Sequence, residues 1–563
     1  MASENVLDTD VLVIGAGMAG FFAAIKAREK GLSVTLVDKA YAGKSGASAY
    51  AGMGYLVYNP DWGLDFDAFM NAITVKGEYL NNRDWTEIVL KDSLTTYRDL
   101  ASWGMEFPVE NEDNTPNDKY FLPFGIVRIR RRQFMPVIRK QAIKLGIRIL
   151  DRITVTSLLK QDGQVIGAIG FPADSHESYV FNAKATVLST GYNSFKPSGA
   201  EIASLTGDGD AMAYRTGAEI TGKEFPDTGT YGMTPFTSWR GARGSRAVFR
   251  YYTLPNGERV RVGDEQDLSL EFKIHAGEGP ILWDLDAATP EDIERMRKRL
   301  QASDAMESGR IGFDPAQGGK IPIAGGGASG APDPHTAGVW PEDKYCATKI
   351  PGLYVAGECC ASRYIGAYHP APGFGLTGAA VTGLRAGLGA AEYSAKKKKP
   401  APDKEMLARL KDAMFAPAER KGGFSPAWVT QIIQNTMTPY FILHVKKEDR
   451  LKAALTLIEF TRNHLVPKLT AKDSHELRLA HETDNMALNA EMILRSSLFR
   501  TESRGQHYRE DYPHRDDPAW LAWVKLKDDQ GEMKVSTEPV PEKWWPDLSK
   551  PYEERYPKRF PGE

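Results

Sequence analysis

Asp10-Val11-Leu12-Val13-Ile14-Gly15-Ala16-Gly17-Met18-Ala19-Gly20 is the stretch that decides how the rest of this chain is read. Val11 to Ile14 is a short apolar run, the pattern of a buried parallel strand, and it breaks directly into Gly-x-Gly-x-x-Gly. Phe21 to Lys30 predicts a helix whose small residues Ala23, Ala24 and Ala27 suit close packing on a sheet, and Gly31 ends it. Ser33 to Val37 predicts a second strand, finishing on Asp38. Strand, glycine turn, helix, strand and terminal acid together make the dinucleotide-binding layout. In that layout Gly15 permits the tight turn, Gly17 lets backbone approach a pyrophosphate, and Gly20 lets helix and strand pack closely. The helix N-terminus offers N–H groups and partial positive charge to phosphates. Asp38 is placed to accept hydrogen bonds from a ribose hydroxyl, which favours FAD or NAD over NADP.

The chain has 563 residues, enough for about two to four domains with a large core. Its 42% hydrophobic and 26% charged content is that of an ordinary soluble globular protein. A formal net charge of −2 gives no reason to expect nucleic acid or an anionic membrane as partner. Basic clusters occur at Arg128 to Arg132 and Lys396 to Lys399; the second precedes Pro400-Ala401-Pro402 and reads as a solvated linker. No run approaches the roughly 20 apolar residues that cross a bilayer. Met1-Ala2-Ser3-Glu4-Asn5 carries no basic flank or apolar signal region, so a cytoplasmic location is expected. The three cysteines, Cys346, Cys359 and Cys360, rule out a disulfide scaffold and an internal cubane cluster, which takes about four thiolates. Any iron–sulfur relay is therefore expected on another polypeptide, and no metal site is expected here.

After Asp38, the segment Lys39 to Gly54 is rich in small residues, among them Gly43, Ser45, Gly46, Ala47 and Gly52, leaving room for a flat ligand against the backbone. It resembles the flavin-contacting loop of the fumarate reductase/succinate dehydrogenase flavoprotein superfamily, which includes L-aspartate oxidase and the adenylylsulfate reductase α subunit. Members with covalent flavin carry His then Thr at this point; here Gly46-Ala47 stands instead, so the resemblance implies non-covalent FAD. Ala185 to Gly191 resembles the superfamily's strand ending in Ala-Thr-Gly, and Thr206-Gly207-Asp208-Gly209-Asp210 another shared turn. Ile350 to Glu358 is similar to its Gly-Leu-Tyr-Ala-Ala-Gly-Glu strand, whose Glu binds the ribityl or ribose region. Gly373 to Gly378 opens a small-residue helix running through Ala391. Glu502-Ser503-Arg504-Gly505-Gln506-His507-Tyr508-Arg509, continuing to Asp511 and Pro513, resembles the Glu-Ser-Arg-Gly-x-His-x-Arg-x-Asp-x-Pro motif almost residue for residue. The resemblance covers nearly the whole chain, and the spacing together with His475-Glu476-Leu477 is most similar to the α subunit of adenylylsulfate reductase.

The fold class expected is α/β: a Rossmann-like FAD-binding domain interrupted by an α+β capping domain, then a C-terminal helical domain and an extended tail. The expected boundaries are 1–234 and 341–397 for the FAD-binding domain, 235–340 for the cap, 398–515 for the helical domain and 516–563 for the tail. A helix is expected at Pro290 to Ser303, and Trp520, Trp523, Trp544 and Trp545 are expected to anchor the tail over the helical part. Candidate cofactor contacts are Gly15, Gly17, Ala19, Gly20, Asp38, Lys39, Ser45, Gly46, Ala47, Gly52, Thr190, Gly191, Asp208, Glu358, Gly375 and Leu376.

The resemblance also frames the chemistry. The superfamily's dicarboxylate reductases hold substrate with Arg and His, and their capping-domain Arg, the proton shuttle, immediately precedes Gly-Glu-Gly-Gly. The matching stretch is His275-Ala276-Gly277-Glu278-Gly279-Pro280, with Ala276 at the Arg position. A second family Arg, in Gly-Ala-Asn-Arg-Leu-Gly-Gly-Asn, aligns with His369 of Gly366-Ala367-Tyr368-His369-Pro370. The family's His-Pro-Thr corresponds to Phe225-Pro226-Asp227-Thr228, without the His, while His335 of His335-Thr336-Ala337-Gly338 matches another family His. Imidazole cannot replace a bidentate guanidinium without loss of geometry and permanent charge, so succinate or fumarate is not the expected substrate. His369, His335, Tyr368, His275, Arg363 and Arg504 are the catalytic candidates.

The function expected is an FAD-dependent oxidoreductase that reduces or introduces a C=C bond next to an activating group, with hydride moving through flavin N5. A separate iron–sulfur, ferredoxin-like or other redox subunit is its expected electron partner. Two alternatives stand beside it: an adenylylsulfate reductase-like α subunit that works on sulfur, and a non-catalytic electron-transfer flavoprotein. Vicinal Cys359-Cys360 reads as buried packing, since neighbours on an extended segment point apart.

Overall fold

The computed structural model describes residues 4–50, 54–107, 125–127, 129, 131–196, 202, 204–226, 251–261, 281–294, 297, 314–323, 335–370 and 373–563. The Val11–Ile14 run lies inside strand β1 (Glu4–Ile14), at the centre of a seven-stranded sheet. β1 pairs in parallel with β2 (Val34–Val37) on one side, which pairs in parallel with β3 (Arg148–Leu150). Beyond a hairpin of β4 (Ile153–Gln161) and β5 (Gln164–Pro172) lies β6 (Ser178–Leu188), parallel to β1 on its other side. β5 covers the first half of β6 antiparallel, and a late strand, Leu353–Val355, continues along its second half in parallel. Val13 is in register with Leu36 and Val187, and Val187 with Tyr354, so four parallel strands end level with one another. Val11, Leu12, Val13, Leu36 and Val187 are fully buried, as strands covered on both faces require.

Two helices rich in small residues cover one face. α1 (Met18–Glu29) follows the glycine turn, and the 22-residue helix Phe374–Ala395 lies across it. A Cβ on Gly383 or Gly387 would come within 2.4 Å of the Ala19 or Ala23 carbonyl, so these positions set the distance of approach. The apolar spacing of residues 64–105 resolves into helices Phe66–Lys76 and Arg83–Ser102, and 134–146 into Arg131–Lys144.

The chain leaves this body after Ile220–Thr221 and re-enters at Gly338–Val339, and the two short strands pair antiparallel with each other. Between them the described residues hold a four-stranded antiparallel sheet ordered Arg259–Arg261, Tyr251–Thr253, Ile281–Asp284, Lys320–Ile323. Of the helix expected at Pro290 to Ser303, Pro290 to Glu294 are helical; residues 295, 296 and 298 to 303 lie outside the described residues.

Helices Lys404–Glu419, Pro426–Met437, Glu448–Phe460 and Ser474–Phe499 follow the Lys/Pro linker. Asp403, Ser425 and Asp473 cap three of them by accepting from the Met406, Trp428 and Glu476 N–H groups. Ile433, Met437, Leu451, Ile458, Met486 and Ile493 form their core. The tail builds a hairpin, Ala522–Asp529 with Glu532–Pro539, that adds to the Ile220–Thr221 strand. Trp523 and Trp544 are buried with Leu80, Phe225 and Trp340, while Trp520 meets Phe499 edge-on at the end of the long helix.

Candidate functional site

The level ends of β1, β2, β6 and Leu353–Val355 open onto a cavity of about 340 Å³, the position at which open parallel sheets bind ligands. Gly15, at φ +101°, makes the turn out of β1; a Cβ there would sit 2.4 Å from the Ser189 carbonyl oxygen. One on Gly20 would sit 1.9 Å from the Gly15 carbonyl oxygen, so helix and turn meet backbone to backbone. A Cβ on Gly17 would meet only Ser48, which leaves its cavity side open. Gly17 has no side chain to cap α1; Ser48 Oγ accepts from the Met18 N–H at 3.1 Å, and the helix start faces the cavity with the positive end of its dipole.

Asp38 lines the same cavity, accepting from Ala16 N–H and Ala40 N–H, each at 2.8 Å. Burial pushes its carboxyl pKa up, opposed by these two donors. Lys39 donates to Thr206 at 2.9 Å, Asp208 at 2.8 Å and Glu482 at 2.9 Å. Against desolvation, which would lower it, the Asp208 and Glu482 carboxylates hold the Lys39 ammonium above the usual lysine range. Glu482 comes from the long helix Ser474–Phe499, which ties the helical part to one wall of the cavity.

Ser45, Gly46, Ala47, Thr190, Gly191, Asp208, Glu358, Gly375, Leu376 and Ala19 all line the cavity, and Gly52 lies outside the described residues. Ala16, Ser48, Tyr50, Ser189, Leu205 and Met212 also contribute without having been singled out. Ser48 had a signal, its place in the small-residue loop; Glu482 had none, being 443 residues from Lys39. A glycine turn that admits close backbone approach, a helix start turned to the cavity and an acid after β2 fit a pyrophosphate flanked by a ribose.

The catalytic candidates separate. His369 lines the cavity, half-buried, its ring edge-on to Phe374 at 6.0 Å. His335 is fully buried beneath the first turn of Phe374–Ala395, its Nε2 3.0 Å from the Gly375 carbonyl and its ring 5.4 Å from Tyr364. A carbonyl only accepts, so Nε2 carries the proton; burial lowers the imidazole pKa to about 4 and keeps it neutral. Tyr368 does not line the cavity: its ring is buried beneath the Arg559 guanidinium, 4.4 Å away. Arg363 is likewise outside the lining, fully buried, donating to the Thr336 carbonyl at 2.9 Å and lying over Phe225; burial lowers its pKa to about 9. Arg504 is locked to Glu502 and Asp517 and donates to the Glu78 carbonyl and the Tyr556 hydroxyl. His275 lies outside the described residues. Cys346, Cys359 and Cys360 are all buried thiols, and burial pushes the Cys359 and Cys360 pKa values well up.

Residues 10–376 match the model of the FAD binding domain, and residues 430–556 that of the fumarate reductase flavoprotein C-terminal region. The chain belongs to the fumarate reductase/succinate dehydrogenase flavoprotein superfamily. It is an FAD-dependent oxidoreductase, and FAD is the cofactor that the cradle above accommodates. Similar proteins include a fumarate reductase (CoM/CoB) subunit of Methanothermobacter marburgensis, 27% identical over 93% of this chain and 98% of that one. The succinate dehydrogenase flavoprotein subunit of Rickettsia bellii is 25% identical over 94% and 95%. Among solved structures, adenylylsulfate reductase from Archaeoglobus fulgidus superposes with a TM-score of 0.78 at 22% identity, covering 96% of this chain and 97% of that one. This flavoprotein shares that fold from the glycine turn to the C-terminal hairpin. Among its described residues no helix is long and apolar enough to cross a membrane.

Proposed function

We propose that this flavoprotein reduces or introduces a C=C bond conjugated to a carbonyl or similar activating group, on a substrate other than succinate or fumarate. The observation that carries the reading is His369, an imidazole in the cavity lining where the superfamily motif has an arginine. FAD, when bound, supplies two-electron hydride chemistry at N5. His369 is suited to hold or move the accompanying proton at the substrate, as imidazole exchanges protons near neutral pH. Ala276 at the position of the capping-domain arginine removes the other permanent charge that a dicarboxylate clamp uses. The first turn of Phe374–Ala395, with Gly375 and Leu376 in the lining, presents the positive end of its dipole to the cavity and stabilises negative charge there. The insertion between Thr221 and Gly338 is suited to act as the cap that excludes water.

We also propose that electrons reach the site from a separate redox subunit, iron–sulfur or ferredoxin-like. Three buried cysteines support this, since about four thiolates are needed for a cluster. The Methanothermobacter and Rickettsia relatives are both named as subunits.

The test is a screen of the purified, chemically reduced holoprotein against enones, enoates, fumarate, and adenylylsulfate, followed by flavin absorbance. Reoxidation by an enone or non-dicarboxylate enoate is expected. With that acceptor, His369→Ala should retain FAD and lose roughly 10²–10⁴-fold in turnover. Reoxidation by fumarate or adenylylsulfate alone would refute the substrate class, and undiminished turnover of His369→Ala would remove it from the mechanism.

A further inference from the structure

His369 belongs to a loop, residues 366–370, whose backbone is held on both sides. The Ala367 N–H donates to the Gly77 carbonyl at 2.9 Å, and the Ala367 carbonyl accepts from the Gln506 N–H at 3.2 Å. Lys76 donates to the Pro370 carbonyl at 3.4 Å. Between these points stands Tyr368, only 5% exposed, and what covers its ring comes from the far end of the sequence. The Arg559 guanidinium carbon lies 4.4 Å from the ring centroid. Nη1 of the same group donates to Glu78 at 2.6 Å, with the Arg559 side chain 5% exposed.

Glu78 is the anchor of this arrangement. It also accepts from Arg515 at 2.9 and 3.0 Å and from the Gly505 N–H at 3.0 Å. Against desolvation, which would raise it, the Arg515 and Arg559 guanidinium groups hold its carboxyl far below the usual range. The segment carrying Arg559 is tied down independently: the Arg559 and Phe560 N–H groups donate to Glu563, and Phe560 stacks on Tyr508 at 5.3 Å. A planar cation with one edge on a fixed carboxylate therefore presses its face on the residue next to His369. Arg559 itself is absent from the cavity lining.

We propose that Arg559 is a positioning residue for His369: by clamping the Tyr368 ring it fixes the loop that presents the imidazole to the cavity. The proposal rests on His369 being the residue that serves the reaction. A clamp acting through the ring makes a specific demand. Removing the cation and removing the ring must have the same consequence, and removing both must add nothing.

Carbethoxylation of the FAD-loaded full-length protein by diethyl pyrocarbonate, followed for each histidine by peptide mass spectrometry, reads the placement of His369 directly. The exposed His176 and His475 serve as internal rate standards. Arg559→Ala should raise the His369 rate about fivefold against these standards, in keeping with loss of one desolvated cation–π contact. Tyr368→Ala should do the same, the double variant should match either single one, and Arg559→Lys, which keeps a cation over the ring, should restore most of the wild-type rate. FAD content and melting temperature on the same samples separate a local change from unfolding, and Tyr368→Ala carries the test where Arg559→Ala does not accumulate. An unchanged His369 rate in both single variants, or additive increases in the double variant, would overturn the clamp. Faster labelling in Arg559→Ala alongside full turnover of His369→Ala would leave the clamp standing and remove the catalytic reading instead.

Discussion

Acid should weaken this protein through His335, by an amount that the geometry sets. In the folded state burial holds the imidazole pKa at about 4, while in the unfolded chain it returns to 6.5. Between these values the unfolded chain binds a proton that the folded one does not, so stability is complete above pH 6.5 and is lost as pH falls toward 4. At about 1.4 kcal/mol per pH unit the full gap is worth about 3 kcal/mol, and most of it is gone by pH 4.5. Protonation does not remove the Nε2–H donated to Gly375; it forces a charge into a site with 0% exposure. The half-buried His481 and the buried His507 also have lowered pKa values and push in the same direction, so wild type alone is not diagnostic. The informative comparison is His335→Gln, whose side-chain amide can still donate to the Gly375 carbonyl but does not titrate. Urea unfolding at a series of pH values between 7.5 and 4.5, followed by flavin fluorescence, should show wild type losing about 2–3 kcal/mol more than the variant. Parallel losses in the two proteins would refute the assignment of His335 as a buried neutral donor.

Other consequences are quicker to check. Gly20→Ala should cost about 1–3 kcal/mol and lower FAD occupancy, because its Cβ meets the Gly15 carbonyl oxygen; a fully flavinated, wild-type-stable variant would contradict the packing. Glu482→Gln leaves Lys39, Lys196 and Arg478 around one neutral amide, so a loss of about 3–5 kcal/mol is expected in urea titrations, with weaker FAD retention. Cys346, Cys359 and Cys360 should resist a thiol reagent at pH 8 until the protein is denatured; rapid labelling of native protein would contradict their burial. Acid precipitation should release the yellow chromophore as free FAD, since Gly46-Ala47 offers no histidine for a covalent link; flavin left in the pellet would refute this.

What could be read from the sequence follows the range of the interactions involved. Gly15, Gly20 and Asp38 answer to contacts within one strand–helix–strand unit, and spacing alone reports them. Glu358 is legible for a different reason, since it stands in a stretch that resembles a superfamily motif, while Leu376 is legible from the small-residue helix that its stretch opens. The histidines and Tyr368 were another matter. His335 and His369 look alike in sequence, yet His335, at φ +58°, has its ring sealed under a helix start and His369 reaches the cavity. Tyr368 stands directly beside His369 in sequence, but its fate depends on an arginine 191 residues further along the chain, and Lys39 depends on a glutamate 443 residues away. Side-chain direction at such points is settled by tertiary contacts that no local pattern encodes.

Thr221 and Gly338 are cross-strand partners, yet 116 residues separate them in the chain. In an antiparallel pair such residues stand about 5 Å apart, a gap that a two-residue turn can span. The sheet that binds FAD is closed by β1, β2, β6 and Leu353–Val355, none of which lies in the intervening segment. The two ends of the insertion are nevertheless stitched into the body: Lys223 pairs with Asp210, Glu224 with Arg500, Phe225 packs with Trp523, and His335 lies beneath the start of Phe374–Ala395. An exchange of the insertion between relatives therefore has to keep residues 222–226 and 335–337, which belong to the core of the body rather than to the inserted sheet.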